Sequence, residues 1–358
     1  MANNDLAYGF TSIRHLIDQR VTEVGASTIY DAVVESAAEH TRQINALLSS
    51  MVFRVTRRSD RYVLAKGGSL QPLDEWGNPL PVVMEGYYDV AYPILGGGTA
   101  WGTSRVARQL MTVEEANQHT LQALQWDADW LRKHLLCAIL DKATWTFDES
   151  PSDLTIQCLA NGDSVTYVKK GTSTPATDNH YLAQTAAIAD ATNPFAAIYT
   201  ELMEHSSNRG PVVVYNAANV SDDITGLTNF VPVGDPDLNY GIGATQISAS
   251  IEKVRGVGQE VLGKIDRCWI VEWGELPDDY MIAQAIGTGA FMAMREYPSA
   301  ALQGFFPEQD VAEGRTLNKL LRYAGFGVAN RIAALAFFVE AGDTTYDTPS
   351  GYDRPIVE

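Results

Sequence analysis

Cysteine, positive charge and long apolar runs are all scarce in this chain of 358 residues. Its cysteines, Cys137, Cys158 and Cys268, are odd in number and widely spaced, so we predict buried free thiols in a reducing compartment rather than a disulfide framework. The 26 lysine and arginine residues face 44 aspartate and glutamate residues, and the net charge of −18 argues against a free nucleic-acid binder. Without an apolar run of about 18 residues or a basic, then apolar N-terminus, neither a transmembrane helix nor a signal peptide is predicted.

Motifs for catalysis and for binding metals or nucleotides are also absent or incomplete. The six histidines are scattered and have no metal-ligand spacing, and no Gly-x-Ser-x-Gly elbow occurs. Gly258–Lys264 has the spacing of a phosphate-binding loop, but Ile265 stands where a magnesium-binding Ser or Thr is needed. Asp235–Asn239 resembles the start of a calcium loop without its glycine and final glutamate, and Gly241–Gly243 lacks the third glycine of a dinucleotide fingerprint. The sequence therefore predicts no catalytic, cofactor-binding or metal-binding residue, and it disfavours the alternative of a nucleotide-binding enzyme.

What the chain does contain is the pattern of a long β-hairpin. Met51–Leu64 and Pro81–Leu95 are β-prone runs, and Lys66–Pro79 between them is rich in turn residues. An isolated two-stranded arm is marginal in water, so this arm predicts a partner surface that covers it. Its arginines fit two roles, complementing an acidic patch on a neighbouring copy or preventing aggregation at a strand edge. The predicted contacts with neighbouring subunits are Arg54, Arg57, Arg58, Arg61, Trp76, Tyr87, Tyr88 and Tyr92.

Two helices are predicted on either side of this arm. The first begins at Ser27 or Thr28 and ends near Leu48, and its expected apolar stripe is Tyr30, Val33, Val34 and Ala37. The second begins with the capping box Thr112–Glu115 and is predicted to run to about Trp145, on the order of 50 Å.

The rest of the chain reads as short mixed elements. Residues 148–182 predict a loop or a small β insertion on the surface, and Asn193 with Pro194 predicts a helix start. Strands are predicted at Pro211–Tyr215, Cys268–Glu272 and Ile332–Glu340, and Gly96–Gly98 is expected to act as a hinge. Because no regular βαβ repeat occurs, the predicted class is α+β.

This order of elements resembles the major capsid protein of tailed bacteriophages, whose Hong Kong phage-type fold is shared with encapsulin shells. Local stretches are similar too. Glu260–Ile265, Trp269–Glu272 and Glu275–Ile282 resemble the family's glycine turn, strand, Leu-Pro turn and further strand, and Phe326–Arg331 resembles its Gly-Val-x-Asn-Arg core.

The resemblance implies a domain layout. Residues 1–50 would form the N-terminal arm and 51–98 the extended loop. Residues 99–192 and 321–358 would form the peripheral domain, with a spine helix at 112–145 and the insertion at 148–182. Residues 193–320 would form the axial domain.

The resemblance also implies a function: self-assembly into hexamers and pentamers of an icosahedral head shell that encloses double-stranded DNA. Scaffold, portal and cement proteins would be partners, no membrane would be involved, and the protein would be located in the virion after assembly in the host cytoplasm. An encapsulin-type nanocompartment shell is the alternative. A long cleaved leader is not expected. Some relatives crosslink a loop Lys to a C-terminal Asn; Lys66 and Asn330 match in type, but the required acidic environment is not evident.

Overall fold

A computed structural model of the chain describes residues 9–63, 73–78, 87–103, 109–162, 164–171, 176–233, 254–312, 315–339 and 345–353. Within these ranges, no helix has the length and apolar character needed to cross a membrane. Five α-helices lie wholly within these ranges: α1 (Val21–Val24), α2 (Ala26–Leu48), α3 (Val113–Leu140), α4 (Phe195–Met203) and α5 (Ser221–Thr225). Single 3-10 turns lie at Arg14–Leu16, Asp190–Thr192, Ala218–Val220, Ile286–Thr288, Ala300–Leu302 and Arg331–Ala333.

The strands that the structure describes are short, with two exceptions. They are β1 (Val52–Val55), β2 (Ser59–Val63), β3 (Tyr87–Ala91), β4 (Leu95–Thr103), β5 (Thr144–Phe147), β6 (Leu154–Gln157), β7 (Thr166–Tyr167), β8 (Ala176–Thr177), β9 (Tyr181–Gln184), β10 (Val212–Asn216), β11 (Phe230–Pro232), β12 (Glu260–Ile265), β13 (Cys268–Glu272), β14 (Tyr280–Ala285), β15 (Met292–Glu296), β16 (Phe305–Ala312), β17 (Arg315–Val328) and β18 (Ala334–Val339). The long exceptions, β4 and β17, pair with each other.

Two larger sheets organise these strands. A five-stranded sheet has the order β1-β15-β17-β16, and β4 also pairs with β17. A seven-stranded sheet has the order β11-β12-β13-β10-β14-β18-β9. Three two-stranded pairs, β2-β3, β5-β6 and β7-β8, complete the described strands. The mixture of separate sheets and helices confirms the predicted α+β class.

The hydrophobic core lies where α3 meets both sheets. Its largest cluster joins Leu135 and Ile139 of α3 to Tyr215 of the seven-stranded sheet and Met292 of the five-stranded sheet. Alternate residues of β10 face opposite sides: Val213 joins that cluster, whereas its neighbours pack on α4 in a second cluster. Because β10 is buried on both faces, its sequence is a run of mostly apolar residues and does not alternate between apolar and polar ones.

Only part of the predicted hairpin forms a separate two-stranded unit. Its first run divides: β1 pairs in parallel with β15 inside the five-stranded sheet, and β2 alone pairs with β3. Val52 and Val55 are buried, and this burial draws the first strand into the body. We use "the ribbon" for β2 with β3 and "the tip" for residues 73–78; most of the predicted turn region, Lys66 included, lies outside the described residues.

The predicted hinge at Gly96–Gly98 is wrong, because these glycines lie in β4. An added Cβ at Gly97 would lie 2.8 Å from the Trp130 ring, and one at Gly98 would lie 2.6 Å from the Leu321 side chain. The glycines therefore permit a close approach of β4 to α3 and β17.

Both predicted helices occur, with corrections. The capping box at Thr112 is present, but α3 ends at Leu140 rather than near Trp145, and its 28 residues span about 42 Å. The chain turns extended at Asp141, whose carboxylate accepts the amide hydrogen of Ala143, and Trp145 then lies in β5. In α2 the predicted stripe is displaced: Val34 is 39% exposed, and the buried face is Ile29, Ala32, Val33, Ser36, Ala37, His40 and Ile44.

The segment predicted as a surface insertion, 148–182, contributes to the core. Cys158, Leu159 and Ala160 are buried, and the amides of Leu159 and Ala160 donate to carbonyls at the end of α3. The predicted strand at 332–340 is observed as β18, between β14 and β9. All three cysteines are free and buried, as predicted.

Candidate functional site

The ribbon carries aromatic and charged side chains on a two-stranded scaffold. Tyr62 and Tyr88 stack across the strands with ring centroids 5.2 Å apart. Arg61 donates two hydrogen bonds, of 2.6 and 2.8 Å, to the Asp89 carboxylate, and its guanidinium lies 4.2 Å from the centre of the exposed Tyr87 ring. The hydrogen bonds from Arg61 lower the pKa of Asp89. Cross-strand pairs of this kind hold a narrow ribbon in register.

Two of the predicted contact residues attach the ribbon to the body instead of facing outward. Tyr92 is fully buried, and burial, followed by its hydrogen bond with Tyr62, raises the pKa of its hydroxyl. The Tyr88 hydroxyl donates to the carbonyl of Ala329 at 3.0 Å. The Tyr92 side chain therefore has no exposed surface to offer to a neighbour.

The four predicted arginines all have carboxylate partners inside the chain. Arg54 pairs with the buried Glu296, and Arg57 pairs with Asp60 at 2.8 Å. Arg58 donates to the Glu149 carboxylate and to two backbone carbonyls, and Arg61 pairs with Asp89 as described above. Their contact with a neighbouring subunit stays a prediction.

Glu149 connects the ribbon base to the five-stranded sheet. Its two carboxylate oxygens accept hydrogen bonds of 2.9 and 2.8 Å from the buried Arg295, and Arg58 shares one of them. The hydrogen bond from Arg295, followed by that from Arg58, lowers the pKa of Glu149 despite partial burial. Such paired, hydrogen-bonded charges fix the direction in which the ribbon leaves the body.

The tip is a preorganised turn that exposes a tryptophan. Asp74 accepts the amide hydrogens of Trp76 and Asn78 at 2.9 and 2.7 Å, and Gly77, at φ +78°, closes the turn by donating to the Asp74 carbonyl. These hydrogen bonds, that of Asn78 above all, lower the pKa of Asp74. Trp76 is 87% exposed on this turn, and Leu73 beside it is 64% exposed.

A groove of about 550 Å³ lies between β4 and α3, and we call it the spine groove. Its lining includes Gly96–Gly98 of β4, Trp126 and Trp130 of α3, and Phe305 of β16. Trp126 is 51% exposed there. Lys133 lies at the same groove, together with Asp127 and Asp129.

Beneath the groove, a buried charge network joins three elements. Asp127 of α3 accepts two hydrogen bonds from Arg322 of β17, at 2.5 and 2.7 Å, and lies 2.9 Å from Nε2 of His40 on α2. All three side chains are almost fully buried. The network therefore fixes α2 and α3 to β17 of the five-stranded sheet.

A second charge network lies between the β7-β8 region and α4. Asp178, Glu204 and His205 form the one group of potential metal ligands within 4.8 Å of one another that the described ranges contain. However, the ammonium of Lys169 contacts the Glu204 carboxylate and lies 3.7 Å from Asp178, and His205 lies 2.7 Å from Asp178. Because a lysine already balances these carboxylates, the arrangement is a charge network and does not fit a metal ion.

Glu201 of α4 belongs to the same network. Burial, followed by a hydrogen bond with Asp178, raises the pKa of Glu201 to about 7. The hydrogen bond from His205 and nearby positive charge lower the pKa of Asp178 despite its burial. Glu201 is therefore the carboxyl group that holds a proton up to about neutral pH, whereas Asp178 is ionised.

The broken phosphate-loop motif is structural. Residues Glu260–Ile265 form β12, paired with β13, rather than a loop that leads into a helix N-terminus. The calcium-loop and dinucleotide-like segments at 235–239 and 241–243 lie outside the described residues.

The chain resembles known proteins in fold rather than in sequence. No model of a known protein family matches the sequence, and no curated protein matches it. A chain in the solved structure of Mycobacterium phage Patience has a TM-score of 0.67 and is 16% identical, and the alignment covers 95% of each chain. A chain in the capsid structure of the cyanophage P-SCSP1u has a TM-score of 0.50 and is 10% identical, with coverage of 83% of this chain and 87% of that one.

The chain has a phage capsid fold. Within this fold, the ribbon is a separate two-stranded pair, α3 is the longest helix of the described residues, and the spine groove lies between α3 and β4. Sequence reasoning found the ribbon and α3 but missed the groove. The signal for the groove was Gly96–Gly98 followed by Trp126 and Trp130 at helical spacing.

Proposed function

We propose that this chain is the major capsid protein of a tailed phage. Copies of it would assemble into hexamers and pentamers, and these would form an icosahedral head shell around double-stranded DNA. The observation that carries the proposal is the capsid fold, which extends over most of the chain. Structures with this fold act as shell components rather than as enzymes, and we propose the same role here.

The charge of the chain supports this role. A net charge of −18 limits adhesion of a polyanion to the shell, so DNA can be packaged without binding the protein in a sequence-specific way. Virion location, assembly in the host cytoplasm, and scaffold, portal and cement proteins as partners belong to the same proposal.

The domain layout stays part of the proposal: an arm at 1–50, an extended loop at 51–98, a peripheral domain at 99–192 and 321–358, and an axial domain at 193–320. The pairing of β18 with β14 connects the third and fourth of these units through one sheet. The sheet pairing thus supports close packing of the two domains.

The test is direct imaging of the purified full chain. Negative-stain micrographs and analytical ultracentrifugation should show closed shells or hexameric rings. A monomer that persists at every concentration would contradict the proposal. An encapsulin-type shell, the alternative, would enclose protein cargo, so the content of particles isolated from infected cells separates the two.

Deletion of residues 67–77 is a sharper test of the ribbon's role. The body should keep its circular dichroism spectrum and its cooperative unfolding, because the core clusters do not include the tip. Assembly should be lost. Closed shells built from the truncated chain would show that the ribbon is not an assembly element.

A further inference from the structure

The tip and the spine groove have complementary shapes and chemistry. Trp76 is the most exposed large hydrophobic side chain among the described residues, and it stands on a turn that Asp74 and Gly77 hold rigid. An indole that is exposed before binding and fixed in direction loses little entropy on contact, which is the property of an interface anchor.

The spine groove offers the matching cavity. Its volume of about 550 Å³ exceeds that of an indole side chain, although the Trp130 ring already covers Gly97 of the lining. Trp126 and Trp130 supply aromatic walls against which another ring can stack. The groove is also prebuilt, because Trp130 packs on the His134 ring at 4.2 Å between centroids.

The charges at the two surfaces are also complementary. Of the two carboxylates at the groove, Asp127 is neutralised by the buried Arg322, whereas the exposed Asp129 shares Arg132 with Glu275. This leaves Lys133 as the groove's free cation, since no ion pair forms to it within the described ranges. Beside Trp76, Glu75 is exposed and likewise has no ion-pair partner there.

We propose that Trp76 of one copy inserts into the spine groove of a second copy, with Glu75 facing Lys133. The inference rests on the proposed function, because it requires copies of the chain to assemble. It names the residues on both sides of one contact, so the contact can fail while assembly of the shell stands.

The test is a charge-swap cycle on the full-length chain, read as the critical concentration for assembly by light scattering and ultracentrifugation. E75K and K133E should each raise that concentration about tenfold, because each places like charges together, and E75K combined with K133E should restore it to within about threefold of wild type. The matched control combines E75K with K264E, a lysine on β12 away from the groove, and should give no rescue. W76A should raise the critical concentration about 30-fold or more.

A fluorescence measurement checks the insertion itself. The difference between wild type and W76F reports on Trp76, and acrylamide should quench it freely in dilute subunits but poorly in assembled particles. The inference is overturned if the matched and mismatched double variants behave alike, or if E75K has no effect. It is also overturned if Trp76 stays accessible in particles or is already protected in the monomer. If wild type never assembles, both the inference and the proposed function fail. If shells form but their critical concentration does not respond to the charge swap, the inference alone is refuted.

Discussion

The buried network around Asp127 gives the most exacting prediction. Replacing Asp127 by Asn removes a negative charge that accepts two hydrogen bonds from Arg322 and contacts His40, without changing the size of the side chain. Arg322 then remains buried as a cation without its counter-charge.

The expected cost follows from this geometry. Removing one partner of a buried ion pair typically destabilises by about 3–5 kcal/mol, because the remaining charge stays desolvated. The Asn side chain keeps one accepting oxygen for Arg322, so we expect the lower end, about 3 kcal/mol. Loss of a whole side chain would add a cavity and obscure the electrostatic part, which is why D127N is preferred to D127A.

The assay is urea unfolding of the full chain at pH 7, with subunit concentration held equal for all variants because assembly shifts apparent stability. The matched control is D129N on the same helix, where an exposed carboxylate pairs with Arg132 and the expected cost is below about 1 kcal/mol. A cost for D127N no greater than that for D129N would refute the view that this network holds α2, α3 and β17 together.

Two further predictions concern the other buried charges. Since the pKa of Glu201 in the folded chain is raised from 4.5 to about 7, its contribution to stability is full at acid pH and is lost as the pH rises through 7. Wild type should lose on the order of 1 kcal/mol between about pH 5 and pH 8, a value discounted for partial exposure, and E201Q should show a flatter profile; parallel profiles would contradict this. R331K should cost about 2–3 kcal/mol in urea unfolding, because Arg331 donates to the carbonyls of Cys158, Leu159 and Asn161 and a lysine cannot satisfy all of them. R42K, at an exposed pair with Glu39, serves as its control and should be nearly neutral.

Local signals in the sequence predicted several elements of the fold correctly. The capping box at Thr112 fixed the start of α3, and the apolar run at Cys268–Glu272 coincides with β13. These succeed because caps and β-prone runs act over a few residues. The end of α3 could not be read, because Lys142–Trp145 has no glycine or proline stop and leaves the helix to pair as β5 with β6.

Contacts between segments that are distant in sequence could not be predicted. β1 looks like the start of a hairpin but pairs with β15, some 240 residues away, because burial of Val52 and Val55 outweighs continuation of the ribbon. Likewise, nothing local distinguishes a glycine hinge from the floor of a groove, since the distinction depends on Trp130 packing against Gly97. The carboxylates of Asp127 and Glu149 gave no local sign of their arginine partners either.

The way in which β4 meets β17 also has a mechanical consequence. The two strands are antiparallel and register over nine positions, Leu95–Thr103 against Thr316–Ala324. A pull on the ribbon through β3 is transmitted lengthwise along β4, so these backbone hydrogen bonds are loaded together in shear rather than broken one after another. The joint between ribbon and body should accordingly withstand tension far better than the ribbon's own two strands withstand being peeled apart.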